Sequence, residues 1–308
     1  MKKVKIAIAS LATFESIKPP YNIVEPSVQA NLELGLSLLD TAGKNKADIA
    51  VLPETFAYAG ISGPNIAGVA EEFPGKCVES VGKKAAEYSM NVIAGFYVQI
   101  DGVLRNVAIL FDRSGKISGT YIKRYTTQGE VAAGIIPSDS NSVFETDVGK
   151  VGIAICFDIN WSEIWTTFEN KADIVFWISA YEGGFPLEAR AWLHRLPIVS
   201  SVMSYHSKLI DISGKVLIQT SRWNRMVLAN FNLDREIFHV DNQYAKIQQI
   251  QDKYGEKVAI ESFTEEHYFV LESLSQDLTV SQIIDEFGLI TFKEYISEST
   301  KVVTSARI

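Results

Sequence analysis

The chain has 308 residues, 47% of them hydrophobic and 21% charged, with a formal net charge of −8. That length accommodates one large domain or two ordinary ones, and the composition excludes an intrinsically disordered chain. The acidic balance, with no Lys/Arg cluster to reverse it, argues against nucleic acid or a membrane surface as a partner.

Two cysteines, Cys77 and Cys156, require no disulfide at this size, and four scattered histidines without a C-x-x-C leave neither metal nor cofactor site to read. The basic, apolar start superficially resembles a signal peptide. Val4, Ile6 and Ile8 alternate, however, and Glu15 interrupts the apolar run, so 4–10 reads as a first β-strand. With no apolar run of membrane-spanning length either, a cytoplasmic location is the expectation.

In chain order, Val28, Leu32, Leu36 and Leu39 predict a helix over 27–42, closed at Gly43 as C-cap. Residues 47–52 form a short apolar strand closed by Pro53-Glu54; 61–68 read as loop, 76–90 as helix, and 91–98 and 103–112 as strands. Ser114-Gly115 turns the chain into a strand over 116–122. A long loop over 126–137 leads to paired strands at 143–146 and 150–155 around Gly149. Helices follow at 161–170 and 187–196, with strands at 172–179, 198–203, 207–211, 216–219 and 226–231. Strands alternating with helices but interrupted by hairpins imply an α/β layered fold with a mixed sheet. From 234 onward the texture is more polar: partly helical over 235–257, a strand over 266–272 and a helix over 279–287 capped by Gly288. That region reads as a C-terminal arm without a domain of its own.

Three strand ends carry reactive side chains. The run Val151 to Ile155 ends on Cys156, where a rigid strand end can display a nucleophile; a buried core thiol is the alternative. Glu54 follows the strand over 47–52 and reads as a general base or as a carboxylate favoured by a helix N-terminus. Lys123 ends the strand over 116–122. It is either an ordinary solvated lysine or a cation able to stabilise a thiolate and an oxyanion.

Together, Glu54 in L-P-E-T-F, Lys123 in Y-I-K-R-Y and Cys156 in G-I-A-I-C-F-D resemble the nitrilase superfamily of carbon–nitrogen hydrolases. Supporting matches are Phe73-Pro74-Gly75, Ala85-Ala86-Glu87, Val92-Ile93-Ala94-Gly95, Arg105-Asn106-Val107-Ala108 and Trp161-Ser162-Glu163. The resemblance spans about 4–231. It implies an α-β-β-α sandwich over 1–233, with 234–308 packing on the core or on a partner subunit, and assembly as a homodimer or larger homo-oligomer. It also implies cofactor-free covalent catalysis: Glu54 as base, Cys156 as nucleophile, and Lys123 with the backbone N–H of Phe157 stabilising the oxyanion. Glu130, in T-Q-G-E, matches a second carboxylate that positions the lysine or the substrate.

The pattern has departures. Tyr125 stands where many members carry His, Leu193-His194 replaces a frequent Glu-Asn, and Pro197 breaks in soon after. The Phe157-Asp158 pair resembles the amidase and carbamoylase branches more than true nitrilases. Tyr181 and Glu182 fall in the loop that lines the substrate in that family. Trp177 and Trp192 read as core, Cys77 as an inert buried thiol, and the histidines as structural or surface residues. The expected activity is hydrolysis of a small linear amide or N-carbamoyl compound through a thioester. The alternatives are a nitrilase, a turnover-deficient binding or scaffold protein on the same fold, and a redox-sensing thiol protein.

Overall fold

The computed structural model describes residues 3–11, 27–63 and 65–307; Met1, Lys2 and Glu15, which entered the reading of the N-terminus, lie outside them. The chain divides into two compact units, Val4–Asn230 and Phe231–Ile308, the latter together with the first three residues.

The larger unit begins with β1 (Lys3–Ala9), α1 (Val28–Lys44), β2 (Ile49–Val51), the short α2 (Asn65–Val69), β3 (Glu71–Glu72) and α3 (Gly75–Tyr88). The hairpin strands β4 (Asn91–Ile100), β5 (Val103–Phe111) and β6 (Ile117–Ile122) follow, then α4 (Gln128–Ala132). Its second half runs β7 (Val143–Thr146), β8 (Gly149–Ile155), α5 (Ser162–Phe168), β9 (Ile174–Ser179), α6 (Gly184–His194), β10 (Ile198–Val202), β11 (Lys208–Ile210), β12 (Val216–Gln219) and β13 (Met226–Asn232).

One sheet has the order β13-β1-β2-β4-β5-β6, with β3 beside β4; the other has the order β12-β11-β10-β9-β8-β7. The centres are parallel, β1 with β2 with β4 and β8 with β9 with β10, while the flanking hairpins are antiparallel. Strand alternation builds the layers. Ala7, Ala50 and Val92 turn toward α1 and α3, burying Leu32, Leu39, Val78 and Val81. Ile6, Ile8, Ile49 and Ile93 point the opposite way and are fully buried where β4 meets β9 and β5 meets β8. On the far side α5 and α6 cover the second sheet through Trp165, Phe168 and Leu187. The result is the α-β-β-α sandwich.

Several local expectations need correction. Gly43 lies inside α1, which ends at Asn45; a Cβ at Gly43 would sit 2.0 Å from the Tyr88 ring, so close helix packing, not capping, requires the glycine there. The span 61–68 contains α2. The span 126–137 contains α4, started by a capping box in which Thr127 Oγ1 accepts from the Glu130 N–H and Glu130 accepts from the Thr127 N–H.

The smaller unit has its own three-stranded antiparallel sheet, in the order β14 (Arg235–His239), β16 (Tyr268–Ser273), β15 (Val258–Phe263). Helices α7 (Tyr244–Tyr254), α8 (Val280–Phe287) and α9 (Phe292–Ala306) accompany it. Phe238, Ile250, Phe269, Leu271 and Ile283 form a core within this unit, so the arm without a domain of its own is replaced by a compact body. No described helix is long and apolar enough to cross a membrane.

Candidate active site

The site collects at one end of the two sheets. Glu54 lies just past β2, Lys123 directly after β6, Cys156 directly after β8 and Ala180 directly after β9. Parallel pairing of β8 with β9 sets the last two ends side by side, with Ile155 opposite Ile178. Cys156 has φ 47° and Thr55 has φ 43°, both left-handed conformations that non-glycine residues seldom adopt. Such a turn lifts a side chain off the strand axis. Two bonds secure it: the Trp177 Nε1–H donates to the Cys156 carbonyl at 3.0 Å, and the preceding Ile155 N–H donates to Asp158.

Asp158 is fully buried. Its Oδ2 accepts from the Ile155 N–H at 2.9 Å and the Tyr121 hydroxyl at 2.8 Å, and its Oδ1 accepts from the Tyr125 N–H at 2.9 Å. The carboxylate thus fastens the Cys156 turn to the end of β6, where Lys123 sits. Burial pushes its carboxyl up to about 6 against the pull of those donors, leaving it ionised at neutral pH.

The charged cluster is equally specific. Lys123, 1% exposed, donates from Nζ to Glu54 Oε1 at 2.8 Å and to Glu130 Oε1 and Oε2 at 3.0 and 2.8 Å. Asn106, on β5 and fully buried, donates from Nδ2 to Glu54 Oε1 at 2.8 Å and to Glu130 Oε1 at 2.7 Å. The Ala180 N–H donates to Glu54 Oε2 at 2.8 Å, and the Thr127 N–H to Glu130 Oε2 at 2.7 Å.

Each carboxylate oxygen offers two lone pairs. All four positions on Glu130 are occupied. Glu54 has three occupied and one remaining on Oε2, and the Cys156 thiol lies within hydrogen-bonding reach of Glu54 and of Ser179. The count separates two carboxylates that look alike in sequence: Glu130 is a holder of Lys123, and Glu54 has capacity for one more proton.

Burial opposes the Lys123 ammonium, but Glu54, Cys156 and Glu130 around it hold its pKa well above the usual range. Burial also works against ionised Glu130, and Lys123 outweighs it, so this carboxyl lies below its ordinary value. The Cys156 thiol is pushed up to about 12, first by burial and then by the Glu54 charge, with Lys123 and Ser179 pulling the other way. The resting thiol is therefore protonated and depends on a neighbouring base for activation.

Glu54, Lys123, Glu130 and Cys156 all line one cavity of about 350 Å³, whose walls include Tyr58, Ile61, Tyr97 and Met203. The other three sequence candidates lie off it. Phe157 is half-buried and packs edge-on against Trp161, which stacks on Tyr125 at 4.0 Å. Tyr181 is 43% exposed and meets Trp177 edge-on; burial, then the neighbouring Cys156 and Glu54 charges, push its hydroxyl up to about 12. Glu182 is turned to the loop 204–206: its Oε1 accepts from the Tyr205 and His206 N–H groups at 3.1 and 3.2 Å, and its Oε2 pairs with His206 Nδ1 at 3.0 Å.

Among the remaining expectations, Trp177 is core, whereas Trp192 is half-buried under the Arg195 guanidinium, 4.7 Å from its ring. Cys77 is buried at the start of α3, its thiol bonded to Glu71 and pushed up to about 12 by burial. Both cysteines are free. Among the described residues no group of three or more His, Cys, Asp or Glu side chains could hold a metal ion.

Asn106, Tyr97 and Asp158 escaped the sequence reading. A fully buried Asn on an apolar strand was the available signal for the first, because burying an amide demands partners. Tyr97 and Asn106 are directly opposite each other across β4 and β5.

Glu54, Lys123 and Cys156 thus meet at the strand ends of an α-β-β-α sandwich, and comparison with known proteins gives the family. The model for Carbon-nitrogen hydrolase matches residues 6–236, and the chain belongs to that family, within the nitrilase superfamily. It is 32% identical over 146 residues to Probable hydrolase YhcX of Bacillus subtilis (45% of this chain, 28% of that protein). It is 31% identical over 160 residues to Omega-amidase NIT2-A of Xenopus laevis (48% and 57%), so these two matches span less than two thirds of either relative. Mouse Omega-amidase NIT2 is 29% identical over 237 residues, 67% of this chain and 84% of that protein. Among solved structures, an amidase from Nesterenkonia sp. superimposes with TM-score 0.66 at 16% identity, covering 81% of this chain and 97% of that one. Nit3 of Saccharomyces cerevisiae does so with TM-score 0.64 at 17% identity, covering 83% and 95%. Both share the fold.

Proposed function

We propose that the chain is a cysteine-dependent amidase that hydrolyses the C–N bond of a small linear amide or N-carbamoyl compound. The observation that carries this reading is the meeting of Glu54, with one lone pair of Oε2 left open by its other bonds, buried Cys156 and Lys123 in one small cavity. A cavity of about 350 Å³ is at the low end for a ligand site and suits a substrate of modest size.

In the proposed reaction on an amide, Glu54 takes the thiol proton and Cys156 Sγ attacks the carbonyl carbon. The C=O π pair moves onto oxygen, where the Phe157 N–H and Lys123 stabilise it. Lys123 can supply a donor because Glu130 holds it through both oxygens and can release one bond while keeping the other. Collapse of the intermediate expels ammonia, which leaves with the proton held by Glu54, and a thioester remains. Water then loses a proton to Glu54 and attacks the thioester; the acid is released, and Cys156 recovers its proton. Glu130 acts by holding Lys123, with the Asn106 side chain and the Thr127 N–H keeping it in place.

Intact-protein mass spectrometry after incubation with amides, carbamoyl amino acids and nitriles tests this. An acyl adduct on Cys156 that is formed by amides and lost on standing is the expected result. Cys156→Ala is expected to retain the fold and lose ammonia release; turnover in that variant would sink the mechanism.

A further inference from the structure

We propose that Asn106 is a positioning residue that directs the thiol proton onto Oε2 of Glu54 by occupying the inner oxygens of both Glu54 and Glu130. The inference rests on the reading of Glu54 as the base. Two carboxylates share one buried ammonium, and like charges held this near each other ordinarily force a proton onto one of them. Asn106 opposes that. Its two N–H groups reach one oxygen of each carboxylate, at 2.8 and 2.7 Å, and occupy the positions where a proton shared between the two would lodge.

The orientation of the amide follows from the same contacts. Only the nitrogen can stand between two carboxylate oxygens, since the carbonyl oxygen would repel both. Turned this way, Oδ1 is buried without a hydrogen-bond partner. Asn106 also fixes the lysine strand, because its backbone carbonyl accepts from the Lys123 N–H at 2.9 Å.

The consequence is a proton address. With Asn106 and Lys123 on Oε1 and Ala180 on Oε2, the lone pair of Glu54 left open by these bonds is on Oε2, and the proposal assigns the thiol proton to it. Without the amide, an inner oxygen of either glutamate opens, and a proton resting between the two carboxylates would disable the base. The charged and titratable groups around the amide are Glu54, Lys123, Glu130 and Cys156, with Tyr97 opposite it on β4 and Tyr181 beyond β9.

The test uses the full chain with two substitutions, so that a folding failure in one leaves the other readable. Asn106→Asp keeps the shape but must carry a proton to donate even one bond. Asn106→Leu removes both donors. The readout is the pH profile of Cys156 alkylation by iodoacetamide, which needs no substrate, with Cys156→Ala correcting for Cys77. For folded variants the profile is expected to move up by at least one pH unit, about tenfold slower labelling at fixed pH on the rising limb. Where an amide substrate is found, kcat is expected to fall by about 10- to 100-fold with KM little changed. A profile superimposable on that of the unsubstituted protein overturns the role of Asn106, since packing alone would alter stability without moving it. If the unsubstituted protein is alkylated but releases no ammonia from any amide, the amidase reading fails, while a shift in the variants still supports Asn106.

Discussion

Gly95 on β4 offers a test in which a single methyl group is directed at the base. A Cβ built there would lie 2.6 Å from Glu54 Cα and 2.5 Å from Thr55 N, both backbone atoms. Ordinary contact begins near 3.4 Å, so Gly95→Ala requires about 0.9 Å of displacement from a segment that is already in a strained turn at Thr55. A movement of that size along the bonds of Glu54, which are 2.8 Å from Asn106, Lys123 and Ala180, carries them to about 3.7 Å, beyond hydrogen-bonding distance. Misplacing a reacting group by about 1 Å lowers the rate by about 100-fold, and overpacking costs about 1–3 kcal/mol of stability. The assays are ammonia release under saturating amide and thermal unfolding of the same preparation. A Gly95→Ala protein with kcat within twofold of the unsubstituted chain would refute the argument that this glycine exists to admit the backbone of Glu54.

Two further outcomes follow from the buried anions. Asp158→Ala leaves two backbone N–H groups and a tyrosine hydroxyl without their acceptor, and at about 1–3 kcal/mol for each of the three unpaired groups it should destabilise the protein by about 3–9 kcal/mol, read from the denaturant midpoint. Glu130 titrates below its ordinary value in the fold. Its charged form therefore contributes stability that is fully present above the unfolded pKa and is lost as pH falls through that value toward the folded one. The difference in melting temperature between the unsubstituted protein and Glu130→Gln should accordingly be constant near neutrality and shrink below about pH 4.5; a constant difference down to pH 3 would contradict it.

The layered α/β character was legible because the central strands are apolar runs bounded by turn residues, while the four-layer sandwich came only through the family resemblance carried by the three strand-end side chains. The organisation of those side chains was less so. Nothing in T-Q-G-E marks Glu130 as saturated and Glu54 as open; that follows from which backbone N–H groups converge on each, which is a property of tertiary placement. Helix α4 did leave a trace, since Thr127 and Glu130 stand at capping-box spacing, but its five residues carry too little apolar periodicity to register. Gly43 illustrates a different failure: a glycine near a helix end reads as a cap, and only the Tyr88 ring against it reveals a packing role. In the smaller unit, β14 lies within the polar span 235–257 whose composition reads as partly helical, and β15 lies in a stretch with no assigned element. The Thr291 and Glu294 capping box at the start of α9 went unread in the same way.

Three successive residues after β9 face three different tasks: the Ala180 N–H holds Glu54, Tyr181 packs edge-on against Trp177, and Glu182 grips the loop 204–206. Such crowding shapes how the protein can change over evolutionary time. A substitution or insertion here, even one that improved the fit of a new substrate, would disturb the proton acceptor in the same stroke, so that rate and selectivity are inherited together along this edge. The facing wall at Gly60, Ile61 and Ser62 is under no such constraint, since among the described contacts none ties these residues to Glu54, Lys123, Glu130 or Cys156. New substrate ranges should arise there first, with the chemistry left intact.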